Sequence, residues 1–133
     1  MTTIAQARTS LAAAVTTTGL RCIAYLSDQI PAPCALISRK EFDPRMVFGG
    51  SKSTYGFRVT IYTSRPAERA SQVLIDGYCE TTGATSLVAA IANGANWTAT
   101  VDYAEVVRVG EIMVHEIAGV PYLVAELDVE VVW

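Results

Sequence analysis

The chain has 133 residues and a mass of 14.3 kDa, which fits a single domain, and charged residues make up 17% of it against a usual ~25%. The hydrophobic class reaches 51% and the mean hydropathy is +0.32, so the composition excludes a disordered chain. The low charge argues against a freely soluble enzyme with a charged coat and predicts a compact domain that buries further apolar surface against partners.

The apolar runs are short, as in Leu87 to Ala92, and a membrane span needs about 20 apolar residues, so we expect no contact with a membrane. Arg8 and Thr9 interrupt the N-terminal apolar stretch, and no basic leader precedes it. We therefore expect no secretory signal and assembly in the cytoplasm.

The net charge of −3 conceals an asymmetry along the chain. Residues 1–100 hold nine basic and six acidic side chains, whereas residues 101–133 hold one basic side chain, Arg108, and seven acidic ones. One interpretation is a solvated acidic face of a sheet; the other is that surfaces of opposite sign meet between copies of this chain. Neither region is basic enough to indicate sequence-specific nucleic-acid binding.

The first element predicted is an amphipathic helix over about residues 3–16, with Thr2 or Thr3 as its cap. Two short strands follow it, from Leu20 to Leu26 and from Cys34 to Ser38, separated by a proline-containing break. The segment from Arg39 to Thr54 is predicted to be a long loop, and its scattered apolar residues indicate that it docks on another surface.

Alternation from Tyr55 to Tyr62 predicts a third, half-buried strand. A helix is then predicted to open at Ser64 to Pro66, with one apolar face made by Ala67, Ala70, Val73, Leu74 and Gly77. A short helix from Ser86 to Ala92 follows it and stops at Asn93-Gly94.

From Trp97 onward the pattern predicts strand. The stretch from Tyr103 to Ile117 changes phase near Gly110, which indicates a bulge or bend within one strand, and Ala118-Gly119 turns it back on an alternating last strand from Leu123 to Trp133. The sequence thus predicts an α+β domain with a mainly antiparallel sheet of about five strands, helices packed on one face, and a long loop between strands 2 and 3.

Reactive groups are few. The only histidine, His115, falls within a predicted strand and has no nucleophile placed to use it. Glu126, Asp128 and Glu130 form a carboxylate row that could bind a hard cation, although an acidic strand facing solvent or a neighbouring subunit explains it more simply.

The cysteines Cys22, Cys34 and Cys79 are odd in number and form no C-x-x-C pair. This spacing predicts buried reduced thiols rather than a disulfide framework or a zinc site. The sequence implies no cofactor.

Together with the first helix, the strand pair and the long loop, three groups of motifs give the chain a familiar layout: Ser64-Arg65-Pro66, Val101-Asp102-Tyr103 with Arg108-Val109-Gly110, and Ala118-Gly119-Val120-Pro121-Tyr122-Leu123. This layout resembles the tail terminator proteins of long-tailed bacteriophages, especially those infecting actinobacteria. Other neck or tail-completion proteins, and a small α+β enzyme or ligand-binding domain, are the alternatives.

The resemblance implies a structural protein of the virion, without enzymatic activity, at the junction of head and tail. It implies a homohexameric ring that caps the tail tube, stops its polymerisation, meets a head-tail connector or neck protein and lets DNA pass through. The residues we expect to make assembly contacts carry the charges and large apolar groups of the loop and the acidic hairpin: Arg39, Lys40, Phe42, Arg45, Met46, Phe48, Lys52, Arg108, Glu126, Asp128 and Glu130.

Overall fold

Three helices cover one face of a six-stranded sheet in a computed structural model, which describes residues 2–25, 31–40, 54–65 and 67–133. In chain order the elements are α1 (Ile4–Thr16), β1 (Arg21–Ile23), β2 (Cys34–Arg39), β3 (Thr54–Ser64), α2 (Arg69–Cys79), α3 (Leu87–Ala92), a 3₁₀ helix (Gly94–Asn96), β4 (Tyr103–Val109), β5 (Met113–Ile117) and β6 (Val120–Val132). The α+β class is as predicted.

The sheet is mixed, with the order β1-β2-β3-β6 and with β4 and β5 both paired to β6. β1 runs parallel to β2, and the other four pairings are antiparallel. The prediction of a mainly antiparallel sheet of about five strands is therefore wrong. Alternation and β-propensity locate strands but do not determine the direction of a neighbour, and they do not separate β4 from β5.

The first helix forms where its pattern predicts it. Thr3 caps α1 through a capping box, in which its hydroxyl accepts from the Gln6 amide and the Gln6 side chain accepts from the Thr3 amide. The buried face of α1 is made by Ala7, Ser10, Leu11, Ala14 and Val15.

The core lies between the helices and alternate residues of the two longest strands. Phe57, Val59 and Ile61 of β3 are fully buried, and they pair in register with Val129, Leu127 and Ala125 of β6. Because successive side chains of a strand point to opposite faces, the intervening residues form a second face, which we call the open face. It includes Arg58, Thr60 and Tyr62 of β3 and Glu126, Asp128 and Glu130 of β6.

The second helix buries a different face from the one predicted. α2 begins at Arg69 instead of at Ser64 to Pro66, and Val73 of the predicted apolar face is 57% exposed. Ile75 and Tyr78 are buried instead. α2 carries two overlapping apolar stripes, and the packing against the sheet selects the one with the larger side chains.

The end of the chain folds back at the predicted turn, but the stretch from Tyr103 to Ile117, predicted as one strand with a bulge or bend, is two strands, β4 and β5. Ala118 and Gly119 both have positive φ, which joins β5 to β6 through a tight two-residue turn. Residues 97–102 are not strand, although the pattern predicts it. Instead Trp97 is buried, and its indole N–H donates to the Ile91 carbonyl at 2.9 Å.

The last strand, β6, occupies the middle of the sheet. It pairs with β3 on one side and with β4 and β5 on the other, so its backbone cannot also pair with another subunit. The sheet therefore ends at β4 and β5, which we call the outer edge, and at β1 on the opposite side.

The predicted loop from Arg39 to Thr54 falls between the end of β2 and the start of β3. Its first residues still belong to the sheet, since the Lys40 amide donates to the Gly56 carbonyl at 2.9 Å. Residues 41–53 lie outside the described part of the chain. Within that part, no helix combines the length and the apolar character needed to cross a membrane.

Candidate functional site

Five charged side chains meet on the open face around one carboxylate, and we call them the Asp128 cluster: Lys40, Arg58, Arg108, Glu126 and Asp128. Strand register brings them together, because Asp128 on β6 lies opposite Arg58 on β3 and opposite Arg108 on β4. Asp128 contacts three cations: Arg58 Nε lies 3.1 Å from Oδ1, while Lys40 Nζ and Arg108 Nη1 lie 3.4 Å and 3.5 Å from Oδ2. Arg58 Nε is also 3.6 Å from an oxygen of Glu126.

Lys40 reaches the cluster across a glycine. A Cβ added at Gly56 would lie 3.2 Å from Lys40 Cβ and 3.3 Å from Lys40 Cδ, so the stem of Lys40 occupies the space that a side chain at this position would fill. Because the Lys40 amide also donates to the Gly56 carbonyl, backbone and side chain both direct the ammonium group toward Asp128.

The electrostatics of the cluster keep Asp128 ionised. Burial by itself raises the pKa of Asp128, but the hydrogen bond from Arg58 and the positive charges of Lys40 and Arg58 outweigh it, and the pKa lies below its ordinary value of 3.8. The Asp128 side chain is only 7% exposed, whereas its cationic partners are between 38% and 61% exposed. The cluster is thus a covered carboxylate under three accessible cations.

This arrangement holds strands together and does not suit acid-base chemistry. A carboxylate with a lowered pKa and ion pairs at both oxygens is a poor proton donor and a poor base at neutral pH. It joins the end of β2 to β3, β6 and β4 on a face that the helices do not cover. The three cations stay partly exposed on this face.

The structure brings together four of the predicted assembly residues: Lys40, Arg108, Glu126 and Asp128. Glu130 lies on the same face but is opposite Glu105, and in the described ranges no cation pairs with it. Arg39 ends β2 at a position opposite the core residue Phe57, so it belongs to the other face. The remaining predicted residues, Phe42, Arg45, Met46, Phe48 and Lys52, lie outside the described residues.

Arg58 is the member of the cluster that the sequence reasoning missed. Its signal was present, since Arg58 falls at an out-facing position of the alternating third strand. The sequence does not reveal that β3 pairs with β6, and this pairing places the guanidinium opposite Asp128.

The cluster also bears on the charge asymmetry. Lys40 and Arg58, from the basic part of the chain, pair with carboxylates of the acidic part inside one molecule. Neither interpretation of the acidic region describes this: Asp128 is buried instead of solvated, and its partners are intramolecular.

A second surface of interest is the outer edge and the turn that follows it. Nine large hydrophobic side chains are exposed in the described part of the chain, and six of them fall between residues 103 and 120. They are Tyr103, Val107, Val109, Ile112, Val114 and Val120. This concentration of exposed apolar groups makes the outer edge a candidate interaction surface.

The three thiols are held in their protonated form. Burial, with a smaller effect of Cys34, raises the pKa of Cys22 to about 12. Burial followed by the nearby charges of Asp76 and Glu80 raises the pKa of Cys79 to about 11, and burial also raises the pKa of Cys34 despite Arg21. None of the three forms a disulfide, and none is a nucleophile at neutral pH.

The remaining reactive groups of the described chain do not converge. His115 is exposed on β5, opposite Tyr122 of β6. No three histidine, cysteine or carboxylate groups within the described ranges are placed to hold a metal ion. In comparisons with known proteins, the chain matches no protein family, and a search of curated proteins finds no significant relative.

Proposed function

We propose that this chain is a tail terminator, a structural protein of a long-tailed bacteriophage that works by assembly and not by catalysis. Copies of it would form a ring, a hexamer by the resemblance of its motifs to that family, which caps the tail tube and stops its polymerisation. The ring would then present the surface on which the head-tail connector or neck protein docks, with DNA passing through its centre. The proposed place of action is the head-tail junction of the virion, after assembly in the host cytoplasm.

The observation that carries this proposal is the apolar outer edge. The low charge of the chain and the six exposed large hydrophobic groups between residues 103 and 120 support the proposal, because a subunit of an assembly covers such groups with its neighbours. The Asp128 cluster supports the same function, because it stiffens the open face with ion pairs and leaves cations exposed for a partner.

The test is to mix the tagged protein with purified tail tubes and to locate the tag by electron microscopy. We expect the label at one end of each tube, the end that joins the head, and we expect tube growth to stop when the protein is added. Label along the sides of the tube, or growth that continues unchanged, would refute the proposal.

Another neck or tail-completion protein is the alternative that shares these surface features. It predicts binding to DNA-filled heads in preference to tubes. A comparison of binding to purified heads and to purified tubes therefore separates the two functions.

A further inference from the structure

We infer that the outer edge of one copy docks against the β1 edge of a second copy, head to tail, so that the sheet continues from one subunit into the next. This inference rests on the proposed ring and names the two surfaces that close it. It does not depend on the ion pairs of the Asp128 cluster.

The outer edge lacks two of the residue types that most often keep free edges apart. Edge strands are commonly protected by lysine or proline. From residue 103 to residue 120 there is no lysine and no proline. In the described part of the chain, β4 and β5 pair only with β6, so the other side of each backbone is available for pairing.

The opposite edge is available in the same way, and its strand runs in a suitable direction. Within the described ranges β1 pairs only with β2. The pairings make β1, β2 and β6 run one way and β3, β4 and β5 the other. Two copies in the same orientation therefore bring β4 and β5 against β1 in antiparallel directions, the more stable arrangement.

Charge complementarity selects the β1 edge as the occupant. Residues 1–25 contain Arg8 and Arg21 and no acidic residue, whereas residues 102–119 contain four carboxylates and one arginine. Next to β1, Tyr25 is 53% exposed with the Arg8 guanidinium 4.7 Å from its ring centre, which adds an apolar surface bordered by positive charge. Two outer edges facing each other would instead oppose carboxylates to carboxylates.

The register across the sheet indicates which residues meet. Five residues are in register across the sheet, one on each of β1, β2, β3, β6 and β5 in turn: Arg21, Cys34, Tyr62, Val124 and Met113. A sheet that continues into the next copy at this level brings Arg21 against the junction of β4 and β5, where Glu111 and the exposed Ile112 lie. The contact pairs a cation with a carboxylate beside an apolar group.

Analytical ultracentrifugation of the full chain tests the apolar part of this contact. Val114→Lys places a charge on the outer edge at a side chain that is 61% exposed, and Val73→Lys makes the same change on α2 at a side chain that is 57% exposed. We expect Val114→Lys to raise the concentration needed for self-association about tenfold or more, and Val73→Lys to leave it unchanged. Equal behaviour of the two variants would overturn the inference, and circular dichroism shows that each is folded.

Charge exchange tests the orientation. Arg21→Glu and Glu111→Arg should each weaken self-association, and the double variant should restore it. If Glu111→Arg alone strengthens association, the outer edges meet each other and the head-to-tail contact is wrong; a wild-type chain that stays monomeric with and without tail tubes would overturn it as well. If variants that no longer pair through this edge still cap tubes, the contact is wrong but the proposed function stands. If rings form through this contact but never cap tubes, the contact stands and the proposed function is wrong.

Discussion

At the scale of single residues, Asp128 makes the most ion pairs within the described part of the chain. It is the buried acceptor for three cations from three separate segments, so its removal leaves those cations without a common partner. The neighbouring Glu130 has the same chemistry on the same strand face and none of these contacts. Asp128 and Glu130 therefore allow a comparison of a buried, ion-paired carboxylate with a half-buried one.

We expect Asp128→Asn to lower the free energy of unfolding by about 2–3 kcal/mol, less than for a fully buried pair because the cations are partly exposed. Glu130→Gln, which relieves its opposition to Glu105, should change the free energy by less than about 0.5 kcal/mol. Urea denaturation of both variants measures the difference. Equal stabilities would show that the ion pairs contribute nothing net.

The lowered pKa of Asp128 predicts how this contribution depends on pH. A group whose pKa is lower in the folded chain stabilises it fully above the unfolded value, here 3.8, and the stabilisation is lost as the pH falls through the folded value. The difference in unfolding free energy between wild type and Asp128→Asn should therefore shrink as the pH drops below about 3.8. Denaturation curves at a series of acidic pH values test this; a constant difference would contradict it.

At the scale of elements, the outer edge divides into two strands just after β4, where Gly110 approaches β6 closely. The Gly110 amide donates to the Glu126 carbonyl at 2.7 Å, and the register between β4 and β6 shifts between Val106 and Arg108. The predicted change of phase near Gly110 therefore corresponds to two features. One is the bulge between Val106 and Arg108, and the other is the break between the end of β4 at Val109 and the start of β5 at Met113. β4 pairs with the C-terminal part of β6, and β5 pairs with its N-terminal part.

Gly110→Ala should be destabilising by about 1–3 kcal/mol, because the added Cβ would lie 3.1 Å from the Glu126 carbonyl oxygen, a backbone atom that cannot move aside easily. Gly94→Ala is the matched control, since a Cβ at Gly94 meets nothing within 4 Å. Thermal unfolding of both variants measures the effect. A normal melting temperature for Gly110→Ala would show that the edge adapts.

The end of β6 is fixed to the start of β3 by an aromatic stack. The rings of Tyr55 and Trp133 lie 4.3 Å apart and are inclined by 16°. We expect Trp133→Ala to lower the free energy of unfolding by about 2–4 kcal/mol and Trp133→Phe, which can keep a stacked ring, to lower it less. Chemical denaturation distinguishes them, and an unchanged stability of Trp133→Ala would place the end of this strand outside the core.

At the scale of the whole molecule, the surface is divided by sign and by polarity. The acidic, apolar outer edge and the basic β1 edge lie at opposite ends of the sheet, and the ion pairs of the Asp128 cluster lie between them. This division suits a subunit that meets a different surface on each neighbour, as a closed ring requires.

At this scale, deleting residues 43–51 tests the predicted loop between β2 and β3. Its flanking strands are joined by the whole β2–β3 ladder, so the shortened chain should still fold and self-associate. If the loop docks on the tube or the neck, the same variant should fail to join heads to tails, measured as infectious particles in a complementation assay. A deletion that leaves infectivity intact would show that the loop has no part in docking.

Some of this architecture follows from the sequence alone. The capped first helix, the alternating β3 and β6, the short helix at Ser86 and the Ala118-Gly119 turn are set by interactions between residues close in the chain, which leave clear patterns. The concentration of carboxylates in the last third of the chain is equally a property of the sequence, as is its low overall charge.

The tertiary structure decided which of these segments lie next to each other. Only the pairing of β3 with β6 places Arg58 on Asp128, and only the sheet order puts the last strand at the centre and leaves β4 and β5 outside. The parallel pairing of β1 and the buried stripe of α2 were settled in the same way, by packing between distant segments. Local preferences cannot encode such contacts, because their free energy depends on which surfaces the fold brings together.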